Sequence, residues 1–333
     1  FSRLLLEKIK YCLKRNEQVI LLQNRRGYAP LLRCRDCGEL VMCPNCQVTL
    51  TYHSAGKYLQ CHFCGFTNNN ILDQCGKCGS FNLKLSGTGT QRVEEILKEK
   101  FPDMQLARLD VDSIRSGQDI SATIQAFADQ KIDILLGTQM IAKGLDFSNV
   151  TLVGIINADT GLYLPDFRAG ERVFQLIYQA SGRAGRGKKP GQVVVQTYNP
   201  DNAVIECATQ LNLHKYYKIA LKERRELNYP PFTWIVKLEL SGPDRAALEK
   251  TAADLRSFLK KPYKGLEILG PAFCYREKLR NRYRMQIVLK SLKTADPGGR
   301  LLHHFIRNKV TENKKFISKY IRLNIDINPI SLL

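Results

Sequence analysis

The chain has 333 residues, 44% hydrophobic and 25% charged, a balance that supports packed domains and excludes a disordered polypeptide. No run approaches the roughly 18 consecutive apolar residues of a membrane-spanning helix, and the opening FSRLLLEKIK lacks the apolar core and cleavage site of a secretory signal, so a cytoplasmic protein without a membrane partner is expected. Lysine and arginine (51) outnumber aspartate and glutamate (31) by 20, with 18 basic against 5 acidic side chains from Arg256 onward, which points to a polyanion such as nucleic acid.

In chain order, Leu4, Leu5, Ile9, Cys12 and Leu13 mark an amphipathic helix, and VILLQ (19–23) reads as a buried strand. NRRGYAP (24–30) then leads into four CxxC pairs, Cys34/Cys37, Cys43/Cys46, Cys61/Cys64 and Cys75/Cys78. Each pair is a knuckle whose thiolates converge on one metal, and two knuckles complete a tetrahedral zinc site. Gly38, Gly65 and Gly79 follow three of them, where a positive φ helps turn backbone N–H groups toward sulfur. Disulfides are disfavoured in a cytoplasmic chain.

VTLTYHSAGKY, between Cys46 and Cys61, has the form of a hairpin that brings its flanking knuckles face to face. Cys43, Cys46, Cys61 and Cys64 are then expected to hold one zinc ion. Only five residues separate Cys37 from Cys43, so Cys34, Cys37, Cys75 and Cys78 are left for a second ion. This nested arrangement is preferred over a sequential one, and His53 or His62 is an alternative ligand to a cysteine.

Beyond the cysteines, TQRVEEILKEKF (90–101) and SATIQAFADQ (121–130) have helical spacing. QLARLDV (105–111), IDILLG (132–137), VTLVGIIN (150–157) and QVVVQTY (192–198) read as buried parallel strands. GTQMIAKGLDF (137–147) follows a strand, and QASGRAGRG (179–187) follows a helical stretch. In the latter, Gln179 can bond a phosphate or its water, and Gly182 and Gly185 allow close backbone approach. Arg183 and Arg186 are spaced to address one anion, and an arginine at a γ-phosphate stabilises the charge that develops on hydrolysis.

GTQMIAKGLDF resembles motif V, and QASGRAGRG motif VI, of superfamily 2 helicases. Together with NRRGYAP, the CxxC cluster, GTGTQRVEEIL (87–97), DFRAGER (166–172), ERRELNYPPF (223–232) and RYRMQIVLK (282–290), they make essentially the whole chain resemble the C-terminal portion of the PriA family of replication-restart helicases. The resemblance implies a 3′ to 5′ DNA helicase acting on branched and single-stranded DNA at stalled forks. Single-stranded DNA-binding protein and other primosome proteins are its implied partners. It implies an α/β fold: a RecA-like helicase lobe 2, a three-layer parallel sheet, over 1–33 and 82–205. A double-zinc insert is expected over 34–81, a helical connector over 206–228 and an α+β DNA-binding domain over 229–333.

Carried over by position, Gln179, Arg183 and Arg186 face ATP, with Gly144, Asp146, Gly182 and Gly185 nearby, and Thr138 and Gln139 touch the DNA backbone. Asp166, Phe167, Arg168 and Arg172 have either a DNA or interlobe role or a structural one, and Gly87 to Thr90 opens a helix that can receive a phosphate or serves as a plain N-cap. There is no GxxxxGK[ST], so ATP and Mg2+ are expected to be held mainly by a lobe preceding Phe1, and the isolated chain is expected not to hydrolyse ATP.

After the helical HKYYKIALKERREL (214–227), Tyr229-Pro230-Pro231 starts a separate unit. WIVKLELSG (234–242), RMQIVLKS (284–291) and YIRLNIDI (320–327) read as strands, with an amphipathic helix over 244–261 on one face. REKLRNRYRMQ (276–286) surrounds Tyr283 with basic side chains, and Arg280, Arg282, Tyr283 and Arg284 are the DNA-binding candidates there. A non-catalytic zinc-ribbon nucleic-acid-binding protein on a degenerate motor scaffold is the competing reading.

Overall fold

The computed structural model describes residues 1–23, 31–45, 49–53, 57–61, 64–68, 74–86, 90–109, 117–138, 147–182, 184, 189–260, 263–311 and 317–332. In chain order its elements are α1 (Arg3–Lys14), β1 (Gln18–Leu22), β2 (Leu31–Cys34), β3 (Thr51–His53), β4 (Tyr58–Gln60), β5 (Thr67–Asn68) and β6 (Leu83–Ser86). Then follow α2 (Thr90–Lys100), β7 (Leu106–Leu109), α3 (Gly117–Ala128), β8 (Ile134–Gly137), β9 (Val150–Ile155), α4 (Asp159–Leu162), α5 (Ala169–Ser181), β10 (Gln192–Val195), α6 (Ala203–Thr209) and α7 (Leu213–Glu226). The last are β11 (Thr233–Gly242), α8 (Arg245–Phe258), β12 (Leu266–Leu279), β13 (Arg282–Leu292), α9 (Arg300–Ile306) and β14 (Arg322–Ile327).

The apolar runs of the first half form a parallel five-stranded sheet in the order β10-β9-β1-β8-β7. Val19, Leu21, Ile134, Leu136 and Leu152 pack with Leu5, Ile9 and Cys12 of α1 and Val93 and Leu97 of α2. Ile20, Leu135 and Val153, of the opposite parity, are equally buried, so the sheet is covered on both faces, as continuous apolar strands require. Gly154 sets how closely α1 approaches: a Cβ there would lie 2.7 Å from Leu21 Cδ2 and 2.9 Å from Leu5 Cδ1. Ser2 caps α1 by accepting a hydrogen bond from the Leu5 N–H.

The chain divides into two compact units, where four segments were expected. The first comprises Phe1–Ala29, Ser86–Tyr163 and Ala169–Tyr217, and the second Pro30–Leu85, Leu164–Arg168 and Lys218–Leu333. The cysteine module and the C-terminal segment therefore belong to one unit, which also takes in five residues from the middle of the motor sequence.

Alternation explains the second unit. In the antiparallel sheet β12-β13-β11-β14, Val236, Leu238, Leu240, Met285, Ile287 and Leu289 turn to α8 and α9. Ile235 and Val288, on the opposite face, pack against Leu32, Cys43, Leu50, Leu59 and Cys61. The C-terminal sheet is thus layered between helices and the cysteine module.

Candidate metal centres and the motif VI helix

Three knuckles share one backbone design. In each, the first cysteine's carbonyl accepts the N–H of the following glycine, Gly38, Gly65 or Gly79, at 3.1, 3.0 and 2.9 Å, and those glycines have φ of 76°, 80° and 73°. The first cysteine's N–H in turn donates to the carbonyl of Glu39, Phe66 or Ser80. Such a turn curls backbone N–H groups around sulfur.

The sulfurs of Cys34, Cys37, Cys75 and Cys78 lie within 4.8 Å of one another, and so do those of Cys43, Cys61 and Cys64. Cys46 lies outside the described residues, as does His62. The hairpin predicted between the inner knuckles is β3–β4, with Thr51 opposite Gln60 and His53 opposite Tyr58. His53 turns to Glu277, with Nδ1 3.1 Å from Oε1, and stacks on Tyr58.

A metal fits these sulfurs better than a disulfide does. The Cys34–Cys78, Cys37–Cys75 and Cys43–Cys64 Sγ separations are 3.6, 3.6 and 3.7 Å. A tetrahedron of sulfurs about 2.3 Å from zinc has an edge of about 3.8 Å, whereas a disulfide bond is about 2.05 Å long. The Cys37 N–H, with that of Asp36 and against the cost of burial, brings the Cys34 thiol down to about 6, and the Cys78 and Lys77 N–H groups lower that of Cys75. For Cys78 the Ser80 N–H favours the thiolate, but the Cys37 sulfur, burial and the sulfurs of Cys34 and Cys75 outweigh it and push the thiol up to about 12. Four adjacent thiolates need a cation between them.

Sequence reasoning missed the residues that tie the knuckles together. Asp36 accepts hydrogen bonds from Ser80 Oγ and, at 3.0 Å, from Asn82 Nδ2, linking the 34/37 and 75/78 knuckles. Asn45 Nδ2 donates to Cys64 Sγ at 3.8 Å. Their only sequence signal was a place inside or just after a knuckle.

In the first unit, Gln179 lies near the end of α5 and is partly buried. Among the described residues, a Cβ at Gly182 would meet only the Gln179 carbonyl, at an ordinary 3.6 Å. Thr138 directly follows β8, 5% exposed, and its hydroxyl has no hydrogen-bond partner among the described residues. Gln139, Gly144, Asp146, Arg183, Gly185 and Arg186 lie outside the described residues, as do 24–30 and 87–89.

The basic hairpin has its tip at Arg280 and Asn281, both with positive φ, between Leu279 and Arg282. Arg280 is exposed. Arg282 Nη2 donates to the carbonyls of Ser241 and Tyr320, each at 2.7 Å, and Arg284 forms a two-toothed pair with Glu239 at 2.9 and 2.8 Å. Tyr283 is partly buried against the helix-facing core, with Lys278 Nζ 4.9 Å from its ring centre. Arg168 places its guanidinium 5.2 Å from the Phe167 ring. The guanidinium groups of Arg282 and Arg284 are thus tied into the fold, and Arg280 alone of the hairpin candidates is exposed.

Comparison with known proteins assigns families to these segments. Residues 85–188 match the helicase conserved C-terminal domain, residues 43–68 the PriA DNA helicase Cys-rich region domain, and residues 225–330 the primosomal protein N C-terminal domain. The chain is 39% identical over 337 residues to the replication restart protein PriA of Bacillus subtilis (strain 168), covering 100% of this chain and 41% of that protein. The corresponding protein of Haemophilus influenzae is 37% identical, with 98% of this chain and 44% of that protein covered. For Treponema pallidum the values are 36%, 100% and 49%. The chain spans less than half the length of these curated relatives.

Proposed function

We propose, because the chain belongs to the PriA family as a C-terminal portion, that it is the lobe 2, zinc module and DNA-binding end of an ATP-dependent 3′ to 5′ DNA helicase. That helicase acts at stalled replication forks and promotes primosome assembly and restart. The observation that carries this reading is the coincidence, in one chain, of a helicase-type parallel sheet and the sequence QASGRAGRG with two nested cysteine clusters spaced for zinc.

In this reading Arg183 and Arg186 stabilise the charge developing on the γ-phosphate, and Gln179 orients the phosphate or the attacking water. Gly144, Asp146, Gly182 and Gly185 let backbone approach the nucleotide. ATP and Mg2+ are held mainly by a lobe outside this sequence. Thr138 and Gln139 contact the DNA backbone at the carboxyl edge of the sheet, where open α/β sheets bind ligands. The partnerless Thr138 hydroxyl supports that role.

The zinc ions, one held by Cys34, Cys37, Cys75 and Cys78 and one by Cys43, Cys46, Cys61 and Cys64, supply structural cross-links. Arg280 and the basic surface after Arg256 track the DNA phosphates. Single-stranded DNA-binding protein and other primosome proteins are the protein partners. No helix of the described residues is long and apolar enough to cross a membrane, and a cytoplasmic setting accords with free thiols and zinc.

The test is unwinding by the full-length polypeptide that carries this chain, on labelled duplexes with a single-stranded tail on either the 3′ or the 5′ side. ATP-dependent separation of the 3′-tailed substrate is expected. Tight binding of both substrates with separation of neither would favour the non-catalytic zinc-ribbon reading.

A further inference from the structure

The parallel sheet of the first unit has a switch point. From β1 the chain goes to β7 and β8 on one side and from β9 to β10 on the other, so the connections leaving the neighbours β1 and β9 diverge. In open α/β sheets ligands bind at the carboxyl ends of such a pair of strands. A cavity of about 350 Å³ lies there, lined by residues that follow β1, β9 and β10 and by α2. That volume falls within the range of small-molecule sites, and all of the lining residues belong to the first unit.

The cavity is built from both apolar and polar parts. Val93 and Ile96 of α2 and Ile156 after β9 supply an apolar wall. Gln196 braces it, with Oε1 accepting the Ser2 N–H and Nε2 donating to the Ile156 carbonyl at 2.7 Å. Asp159, 1% exposed, accepts the Thr197 hydroxyl and the Tyr198 N–H, each at 3.0 Å. The backbone of Tyr198 is thereby fixed while its side chain stays 49% exposed. Asn157 Oδ1 accepts the Thr160 N–H at 3.2 Å, which leaves Nδ2 as a donor with no partner among the described residues.

An apolar wall, a half-exposed aromatic ring and an unspent amide donor suit a nucleobase. The Asp159 carboxylate in the lining makes the cavity a poorer match for a phosphate than for a neutral ring. Every base carries an acceptor on its edge, so a lone donor holds a base without reading its identity, and stacking on an aromatic ring is equally tolerant of sequence. A motor that moves over any sequence needs that tolerance. The cavity also lies on the same edge of the sheet as Thr138. Only β1 stands between β9 and β8, which at the usual strand spacing puts the ends of those two strands about 10 Å apart, close enough for one nucleic-acid strand to touch both.

We propose that this cavity receives one unstacked base of the single strand on which the motor tracks, with Tyr198 stacking on the base and Asn157 Nδ2 donating to its edge. The proposal rests on the helicase reading above and adds a base site to the backbone contacts of Thr138 and Gln139. Two substitutions separate its parts. Tyr198→Ala removes the ring from an exposed position, and Asn157→Asp keeps the acceptor for the Thr160 N–H while removing the donor.

In the full-length protein that carries this chain, binding is measured by fluorescence anisotropy on duplexes with a 3′ single-stranded tail. The junction fixes the register, and a single abasic site is placed at successive tail positions. At one position, loss of the base is expected to weaken wild-type binding about tenfold. With Tyr198→Ala the same loss is expected to cost less than about twofold, and with Asn157→Asp an intermediate amount, because residue and base act as one pair. A merely structural role for Tyr198 would weaken binding to every oligonucleotide alike and leave the abasic penalty in place. Tight binding with no position whose penalty depends on Tyr198 overturns the proposal. If Asn157→Asp does not fold, Tyr198→Ala decides by the same criterion. A wild type that binds no tailed duplex would instead remove the helicase reading itself, so the two failures are distinguishable.

Discussion

Cys34 and Cys78 stand 44 residues apart in the chain, and their Sγ atoms are 3.6 Å apart. The pair closes a loop that encloses the whole of the second cluster. The two clusters differ in setting: Cys78 is exposed, whereas Cys43 and Cys61 are buried in the core shared with Ile235 and Val288.

Metal removal should therefore be ordered. Under rising chelator concentration the outer ion is expected to leave first, with little loss of secondary structure. Loss of the inner ion is expected to disrupt the C-terminal sheet as well, because the module covers that sheet's second face. Native mass spectrometry paired with circular dichroism reads both steps. Simultaneous release of the two ions would count against this order.

Arg284 and Arg280 should separate stability from binding. Arg284→Ala leaves the Glu239 carboxylate, 19% exposed, without its two-toothed partner and is expected to cost about 2 kcal/mol of stability. Arg280→Ala at the hairpin tip is expected to leave the melting temperature unchanged, to weaken DNA binding a few-fold and to shallow its salt dependence by about one counterion. Thermal melts and salt-dependent anisotropy distinguish the two, and an Arg284→Ala protein as stable as wild type would contradict the assignment.

Glu17 makes the motor unit acid-sensitive in a definable window. The carboxylate is 4% exposed, and burial works against its charge. Arg15 at 2.8 Å, Thr151 at 2.7 Å and Lys189 at 3.2 Å outweigh that burial and lower it to about 2. Because the folded value lies below the unfolded one, the stabilisation is complete above about pH 4.5 and is lost as pH falls toward 2. Glu17→Gln is expected to lower stability by about 2–3 kcal/mol at pH 7, with the difference from wild type shrinking through that window in denaturant titrations.

His53 acts in a different range. Burial is the largest influence and lowers its pKa below the usual 6.5, with Glu277 opposing and Arg245 assisting. Folding therefore favours the neutral imidazole, so the contribution is complete above pH 6.5 and is lost as pH falls below it. Replacing His53 with glutamine is expected to flatten the dependence of stability on pH below about 6.5. An unchanged slope would show that the ring titrates as it does in the unfolded chain.

Much of this was legible because the signals are local. Continuous apolar runs bounded by Gly or Asp marked the parallel strands, and the spacer from Val48 to Tyr58 marked the hairpin that brings the inner knuckles together. β12 was missed because Gly270-Pro271 reads as a break, yet the strand passes through it with a shift in register between Leu269 and Ala272. The roles of Arg282 and Arg284 were hidden because a basic run looks the same whether it faces solvent or pairs internally, and Glu239 lies 45 residues away. The capture of Asp166 by Ser331, 165 residues distant, has no local signature at all.

The central claim, that this chain is the arginine-bearing and zinc-bearing portion of a DNA-driven motor, is tested most directly by ATP turnover. The isolated 333-residue chain, the full-length polypeptide that carries it and the full-length Arg186→Ala variant are compared with and without forked DNA. The account predicts turnover by the full-length protein alone, stimulated by DNA and reduced at least about a thousandfold by Arg186→Ala. Full-length turnover that ignores both DNA and the Arg186 substitution would contradict it.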